Sequence, residues 1–125
     1  MLTPEEIKAF EINPVIQFCY DYILPISKDR ILATHGLEIS LITADGDMIC
    51  THESIEVPFY TSFDEDTLEY DENTNEYIGK TIYIEDILVY RENGRYGLMD
   101  YNGDIITEAK YVVLKFEDAE TIQAY

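Results

Sequence analysis

Apolar and polar residues alternate along most of this chain in short runs, and the runs end where Gly stands beside Asp or Asn. Period-two alternation puts successive side chains on opposite faces of a strand, the pattern of a half-buried sheet. The runs 31–34, 38–43 and 48–51 fit it, as do 96–101 and 104–107. Between them, Asp45-Gly46, Asn93-Gly94 and Asn102-Gly103 supply the positive φ that tight hairpin turns demand. The run 53–60 is strand-like too, although Pro58 lacks a backbone donor and confines it to a sheet edge. The runs 15–22 and 81–90 predict further strands, and the tail 111–125 a last strand pair. The beginning of the chain follows a different rule. Thr3-Pro4-Glu5-Glu6 reads as a capping box with Pro at the first helical position. It predicts a helix over 4–11, with Ile7 and Phe10 on one face, ended by Asn13-Pro14.

The chain also matches itself. The stretch 40–51, which reads Ser-Leu-Ile-Thr-Ala-Asp-Gly-Asp-Met-Ile-Cys-Thr, aligns with 97–108, Gly-Leu-Met-Asp-Tyr-Asn-Gly-Asp-Ile-Ile-Thr-Glu. The dipeptide Ile31-Leu32 aligns with Ile87-Leu88, one residue out of phase with the longer match. Tyr20-Asp21-Tyr22-Ile23 returns loosely as Tyr111-Val112-Val113-Leu114, and Ile31 and Ala33 then fall on Ile122 and Ala124. Two units and half of a third are predicted, stacking to share a core. In this alignment Leu41 and Leu98 are equivalent core positions, and so are Ile49 and Ile106.

The stretch 93–106, Asn-Gly-Arg-Tyr-Gly-Leu-Met-Asp-Tyr-Asn-Gly-Asp-Ile-Ile, followed by Tyr111, resembles the WG (or KWG) β-repeat of bacterial proteins. Tyr96 stands where that pattern has Trp, and Thr107-Glu108 where it has prolines. The resemblance is close over 87–111 and loose over 19–49. It implies β-hairpin units and carries no common catalytic residues. The expected organisation of the single domain 1–125 is therefore an N-terminal helical segment at 1–13, a first unit at 19–60, an insertion at 61–80, a second unit at 81–111 and a partial unit at 112–125. The fold class is mostly β: stacked hairpin units forming a small antiparallel sheet or barrel-like domain, with one short N-terminal α-helix.

Charge sharpens this picture. The 125 residues hold 26 acids and 8 bases, a net charge of −18. No Lys or Arg occurs from 31 to 79, where twelve of the acids lie. Such a field repels nucleic-acid phosphates and anionic membranes and attracts a basic protein surface. Composition adds eleven Tyr and five Phe, which suit pleated surfaces. The N-terminus has no basic, apolar leader pattern and no run approaches the ~20 apolar residues of a membrane span, so the cytoplasm is the expected location and Cys19 and Cys50 are expected reduced.

Candidate chemistry is thin. Cys19, His35, Cys50 and His52 are the only thiols and imidazoles, and their spacing makes no paired zinc half-sites. Asp71, Asn73 and Asn75 imitate the start of a calcium loop, but Glu76 holds the position that requires Gly, and Ile82 the one that requires Glu. No Ser or Cys lies in a nucleophile elbow, and no Gly-rich loop precedes a helix. No cofactor, metal or catalytic residue is expected. The segment 64–76 is different: it carries seven acids, and Phe63, Leu68, Tyr70 and Tyr77 are interleaved with them. Aromatics anchor interfaces and charges speed encounter. The expected partner-binding residues are Asp64, Glu65, Asp66, Glu69, Tyr70, Asp71, Glu72, Glu76 and Tyr77. The expected function is a non-catalytic acidic module that binds a basic protein, such as an immunity protein neutralising a bacterial toxin. The alternatives are a DNA mimic that blocks a DNA-binding protein or defence nuclease, and a repeat scaffold with no inhibitory role.

Overall fold

A computed structural model describes residues 2–9, 16, 19–63, 69–118 and 120–125. Helix α1 spans Pro4–Ala9, and its start is the capping box: Glu6 N–H donates to Thr3 Oγ1 while Thr3 N–H donates to Glu6 Oε1, each at 3.2 Å. The predicted helical residues 10 and 11 and the stop at 13–14 lie outside the described residues. Among the described residues of the run 15–22, the predicted strand is not found: Ile16 and Cys19 are helical, and only Tyr22 belongs to a strand. Ile16 and Tyr20 are four residues apart and pack on the same apolar cluster, which is helical spacing.

Two four-stranded antiparallel sheets dominate the rest. The first is a meander of β1 (Tyr22–Ser27), β2 (Arg30–His35), β3 (Glu38–Thr43) and β4 (Met48–His52). The second runs in the order β12-β11-β10-β5, from β5 (Ser54–Glu56), β10 (Ile87–Glu92), β11 (Arg95–Asp100) and β12 (Ile105–Tyr111). Their registers coincide at a shift of 57 residues through the β2–β3 hairpin and the turn end of β3–β4, and part at the far end, where Ile39↔His52 is answered by Tyr96↔Tyr111. Leu32↔Leu41 becomes Val89↔Leu98, and Ile31↔Ile42 becomes Leu88↔Met99. Leu41↔Cys50 becomes Leu98↔Thr107, and both sheets carry a register shift at the next step, where Ile42↔Met48 becomes Met99↔Ile105. The one-residue phase change expected from Ile31-Leu32 is thus absent: Ile31 corresponds to Leu88, and the sequence match of Ile-Leu with Ile-Leu was a coincidence of composition.

The turns repeat as well. Thr43 N–H donates to Asp47 O and Gly46 N–H to Thr43 O; Asp100 N–H donates to Asp104 O and Gly103 N–H to Asp100 O. The side chain at the turn entrance serves the same donor in both, since Asp47 N–H reaches Thr43 Oγ1 and Asp104 N–H reaches Asp100 Oδ1. Gly46 and Gly103 hold φ of 97° and 80°, the left-handed region that a side chain disfavours. The expected strand over 53–60 is divided. Val57-Pro58 separates β5 from β6, and β5 pairs with β10 as Glu56↔Val89, the place that Leu24↔Leu32 holds in the first sheet. The segment assigned by sequence to the end of the first unit therefore supplies the first strand of the second.

The units stack in one direction. Leu32 and Leu41, from one face of the first sheet, share a core with Ile55, Leu88, Tyr90 and Met99. By the 57-residue correspondence these belong to opposite faces: Met99 matches Ile42, which points away from the shared core into a cluster with Ile16, Ile31 and Ala33. Arg30 ties the two units at the edge, donating to the carbonyl of Tyr101 at 2.7 Å and to Asn102 Oδ1 at 3.1 Å. On the outer face of the second sheet, Val89 and Leu98 pack with Ile84 and Phe116. Phe116 belongs to β13 (Leu114–Phe116), which pairs with β14 (Ile122–Ala124) as Leu114↔Ala124 and Phe116↔Ile122. The same register in β1 and β2, Ile23↔Ala33 and Pro25↔Ile31, lies 91 residues earlier. Even the flanking bond is reproduced: Asp21 N–H donates to Thr34 O, and Val112 N–H to Tyr125 O. The tail is thus the first hairpin of a third unit, laid on the second as the second is laid on the first. Leu41 and Leu98 are both buried, as expected, whereas Ile49 and Ile106 part company: Ile49 is half-buried against the shared core and Ile106 is 55% exposed.

Candidate functional site

Between β5 and β10 the chain leaves the sheet as an arm. At its base β6 (Phe59–Ser62) pairs with β9 (Lys80–Tyr83), from Phe59↔Tyr83 to Ser62↔Lys80. Further out β7 (Glu69–Asp71) pairs with β8 (Glu76–Ile78) as Glu69↔Ile78, Tyr70↔Tyr77 and Asp71↔Glu76. The tip is held by local bonds. Asn75 takes a φ of 61°, Asn75 N–H donates to Asp71 O at 2.8 Å, and Asn73 N–H donates to Asp71 Oδ1 at 2.9 Å. Asn is among the few side chains that tolerate this φ, and Asp at the turn entrance caps it. The Tyr70 hydroxyl donates to Asn75 Oδ1, so the residues that imitate a calcium loop spend polar atoms on closing a turn.

Alternation gives the outer ribbon two unlike faces. Tyr70 and Tyr77 stand opposite each other, ring centroids 5.2 Å apart at 62°, an edge-to-face pair that is 49% and 70% exposed. On the other face Asp71 stands directly opposite Glu76, with Glu69 alongside. Like charges in that relation destabilise a sheet. Of the expected partner-binding residues, Glu69, Tyr70, Asp71, Glu72, Glu76 and Tyr77 are gathered on this ribbon; Asp64, Glu65 and Asp66 lie outside the described residues.

The base of the arm adds residues that the sequence reading passed over. Phe59 is 55% exposed and meets Tyr83 edge-on at 6.0 Å. Phe63, noted only as an interleaved aromatic, is 69% exposed. Together with Val57 and Tyr60 they wall one side of a groove of about 880 Å³, with Val112, Val113 and Phe116 on the other. The signal was present: Phe59, Thr61 and Phe63 alternate, so the strand turns an aromatic face outward.

The soft ligands are dispersed. Cys50 Sγ lies 3.8 Å from Met99 Sδ within the shared core, and burial pushes its thiol pKa up against a smaller opposing effect of the Leu41 backbone. His52 Nδ1 is bonded to Glu92 Oε1 at 2.5 Å, its ring against Tyr90. Cys19 and His35 lie around Tyr20, by the β2–β3 turn where His35 pairs with Glu38. Among the described residues no three acidic, His or Cys side chains converge as metal ligands. No helix among them is long and apolar enough to cross a membrane. Compared with models of protein families, with curated proteins and with solved structures, the chain has no match.

Proposed function

We propose that the chain is an acidic protein-binding module whose arm docks a basic protein surface, and that it acts as an inhibitor, such as an immunity protein against a basic toxin. One observation carries this reading: the outer ribbon pairs tyrosine with tyrosine on one face and Asp71 with Glu76 on the other, with both tyrosines and Glu76 exposed and Asp71 half-buried. An isolated two-stranded ribbon is marginal in water, and opposed carboxylates weaken it further. A cationic partner offsets that repulsion and covers the rings. The net charge of −18 supplies long-range attraction to the same partner.

The test begins with the native partner, cross-linked to the full chain in its own cell and purified, followed by binding kinetics. Tyr70→Ala acts mainly on dissociation, raising the off-rate by about tenfold or more if the ring is an anchor. Asp71→Asn with Glu76→Gln acts mainly on association, and its effect fades as salt rises. Unchanged rates in both variants, with the chain folded, would place the interface elsewhere.

A further inference from the structure

We infer that the groove between the base of the arm and β13 is a second docking site, which takes an extended strand of alternating apolar and basic residues from another protein. The site is separate from the outer ribbon 69–78 and stands whether or not that ribbon binds. The groove borders strands along their edges. Consecutive residues of both parities line it, 56–61 on one bank and 112–117 on the other, so it does not lie over one face of either strand. Those edges are open among the described residues, since β6 pairs with β9 alone and β13 with β14 alone. Strands β1 and β5, which hold the place of β13 in their units, are likewise the end strands of their sheets. Ile84 N–H donates to Pro58 O at the start of the β6–β9 ladder. Bonded and non-bonded pairs alternate in an antiparallel ladder, so the backbone groups of Phe59 and Thr61 point away from β9. On the other bank Tyr125 N–H donates to Val113 O and Glu117 N–H to Thr121 O, so those of Leu114 and Phe116 point away from β14.

An extended strand is the occupant that meets such banks. Its N–H and C=O groups have no internal partners, whereas a helix satisfies its backbone within itself. Side chains narrow the choice. Val89 and Phe116, core residues on the outer face of the second unit, line the groove together with Val112 and Val113, which are 54% and 44% exposed. Phe63 walls the arm's side and is held there despite its exposure, because its ring lies across the bare backbone of Gly79. A Cβ on that glycine would sit 2.7 Å from Phe63 Cε1. A strand fits this lining with an apolar residue at every second position, toward the walls. Its other positions face solvent in the field of a chain of net charge −18, and the charged residues of the groove itself are Glu56 and Glu117 against Lys115. Basic residues suit those positions, and the same field opposes a second copy of this chain.

The probe is a capped synthetic peptide, Val-Lys-Val-Lys-Val-Lys, titrated into the full chain and followed by amide NMR and hydrogen exchange. Its control has the same sequence and charge with every backbone nitrogen methylated, which removes the main-chain donors. In the chain, Thr61→Pro deletes one donor of the open edge and spares the β6–β9 bonds, which the Thr61 N–H does not make. Expected are saturable shifts centred on Phe59, Thr61 and Val113, and exchange of the Phe59 and Thr61 amides slowed at least about tenfold. Methylation of the peptide and Thr61→Pro each weaken binding at least about tenfold; the methylated peptide decides the matter should Thr61→Pro disturb the arm. Five results overturn the inference: no saturable binding up to about 1 mM peptide; shifts confined to the outer ribbon, or a methylated peptide that binds as tightly as its parent, either of which means charge attraction alone; Phe59 and Thr61 amides already slow to exchange in the dilute free chain, which means a covered edge; or protection of those amides that grows with chain concentration, which makes a second copy the occupant.

Discussion

The two four-stranded units share every described ladder step of their central hairpins and fill those steps differently. At the step Ala33↔Ser40 the first unit sets two small residues together, with Ser40 Oγ 2.8 Å from Thr51 Oγ1. At the corresponding step Tyr90↔Gly97 the second unit lays an aromatic ring over a bare backbone. A Cβ at Gly97 would lie 2.7 Å from Tyr90 Cε1 and 2.5 Å from the carbonyl oxygen of Thr107. Volume is thus moved from one partner to the other while the backbone register stays. The lesson is that the repeat resides in the ladder, its shifts and its turn bonds, and only loosely in side-chain identity.

Substitutions can break that equivalence, and the largest effect is expected at the shared leucines. Leu41→Ala removes a fully buried side chain and costs ~2–5 kcal/mol in denaturant unfolding. Leu98→Ala falls toward the lower part of the range, since Leu98 sits in the smaller cluster with Ile84, Val89 and Phe116 and is 6% exposed. A cost below about 1 kcal/mol at both, the scale of a surface change, would dissolve the correspondence. Gly97→Ala comes next, at about 1–3 kcal/mol, because the clash is partly with backbone that cannot yield. Ser40→Ala loses one hydroxyl contact, about 1 kcal/mol. Equal costs at these two positions would show that the two steps are packed alike after all.

Alkaline pH separates the units by chemistry. Burial raises the Cys50 thiol above its ordinary 9.0, and the Tyr90 and Tyr101 phenols above 10.0, with nearby carboxylates adding to the tyrosine shifts. A raised pKa means that the folded chain holds the proton more tightly. The stabilisation is complete below the unfolded values and is lost as pH climbs through the folded ones. Thermal melts should therefore decline first above pH 9 through Cys50 and further above pH 10 through the tyrosines. Cys50→Ala removes the earlier part, and a decline of unchanged onset in that variant would mean that Cys50 contributes nothing. The smallest effect is expected at Ile106→Ala, within about 0.5 kcal/mol, against a larger loss at Ile49→Ala. Parity between them would show that Ile106 is covered in solution.

Much of this was legible in the sequence because local chemistry decides it. Asn93-Gly94 and Gly103 mark turns through φ alone, and Thr3 with Glu6 marks the helix start through reciprocal caps. What escaped was decided at a distance. The partner of β5 could not be read from 53–60, since it lies 33 residues further on, across the arm. The helical backbone at Ile16 and Cys19 was hidden because a short apolar run serves a strand and a buried helix equally. For the candidate site, the acids and tyrosines of 69–77 were visible as composition, but which of them oppose each other depends on register. The groove at Phe59 and Val113 joins strands far apart in the chain and left only the alternation of Phe59 and Phe63 as a trace.

The way the arm leaves the sheet bears on how freely it could change. Its roots are neighbours, because Glu56 and Val89 are cross-strand partners. Closing a loop costs entropy that grows only with the logarithm of its length, about 0.6 kcal/mol for each doubling. Here the base ladder from Phe59↔Tyr83 to Ser62↔Lys80 zips most of that length shut, so the free span at the root is a few residues on either side. Everything beyond Ser62 and Lys80 can lengthen, shorten or be exchanged at little expense to chain closure. The fold thus separates what must stay fixed, a ladder, from what is free to be rewritten, a tip.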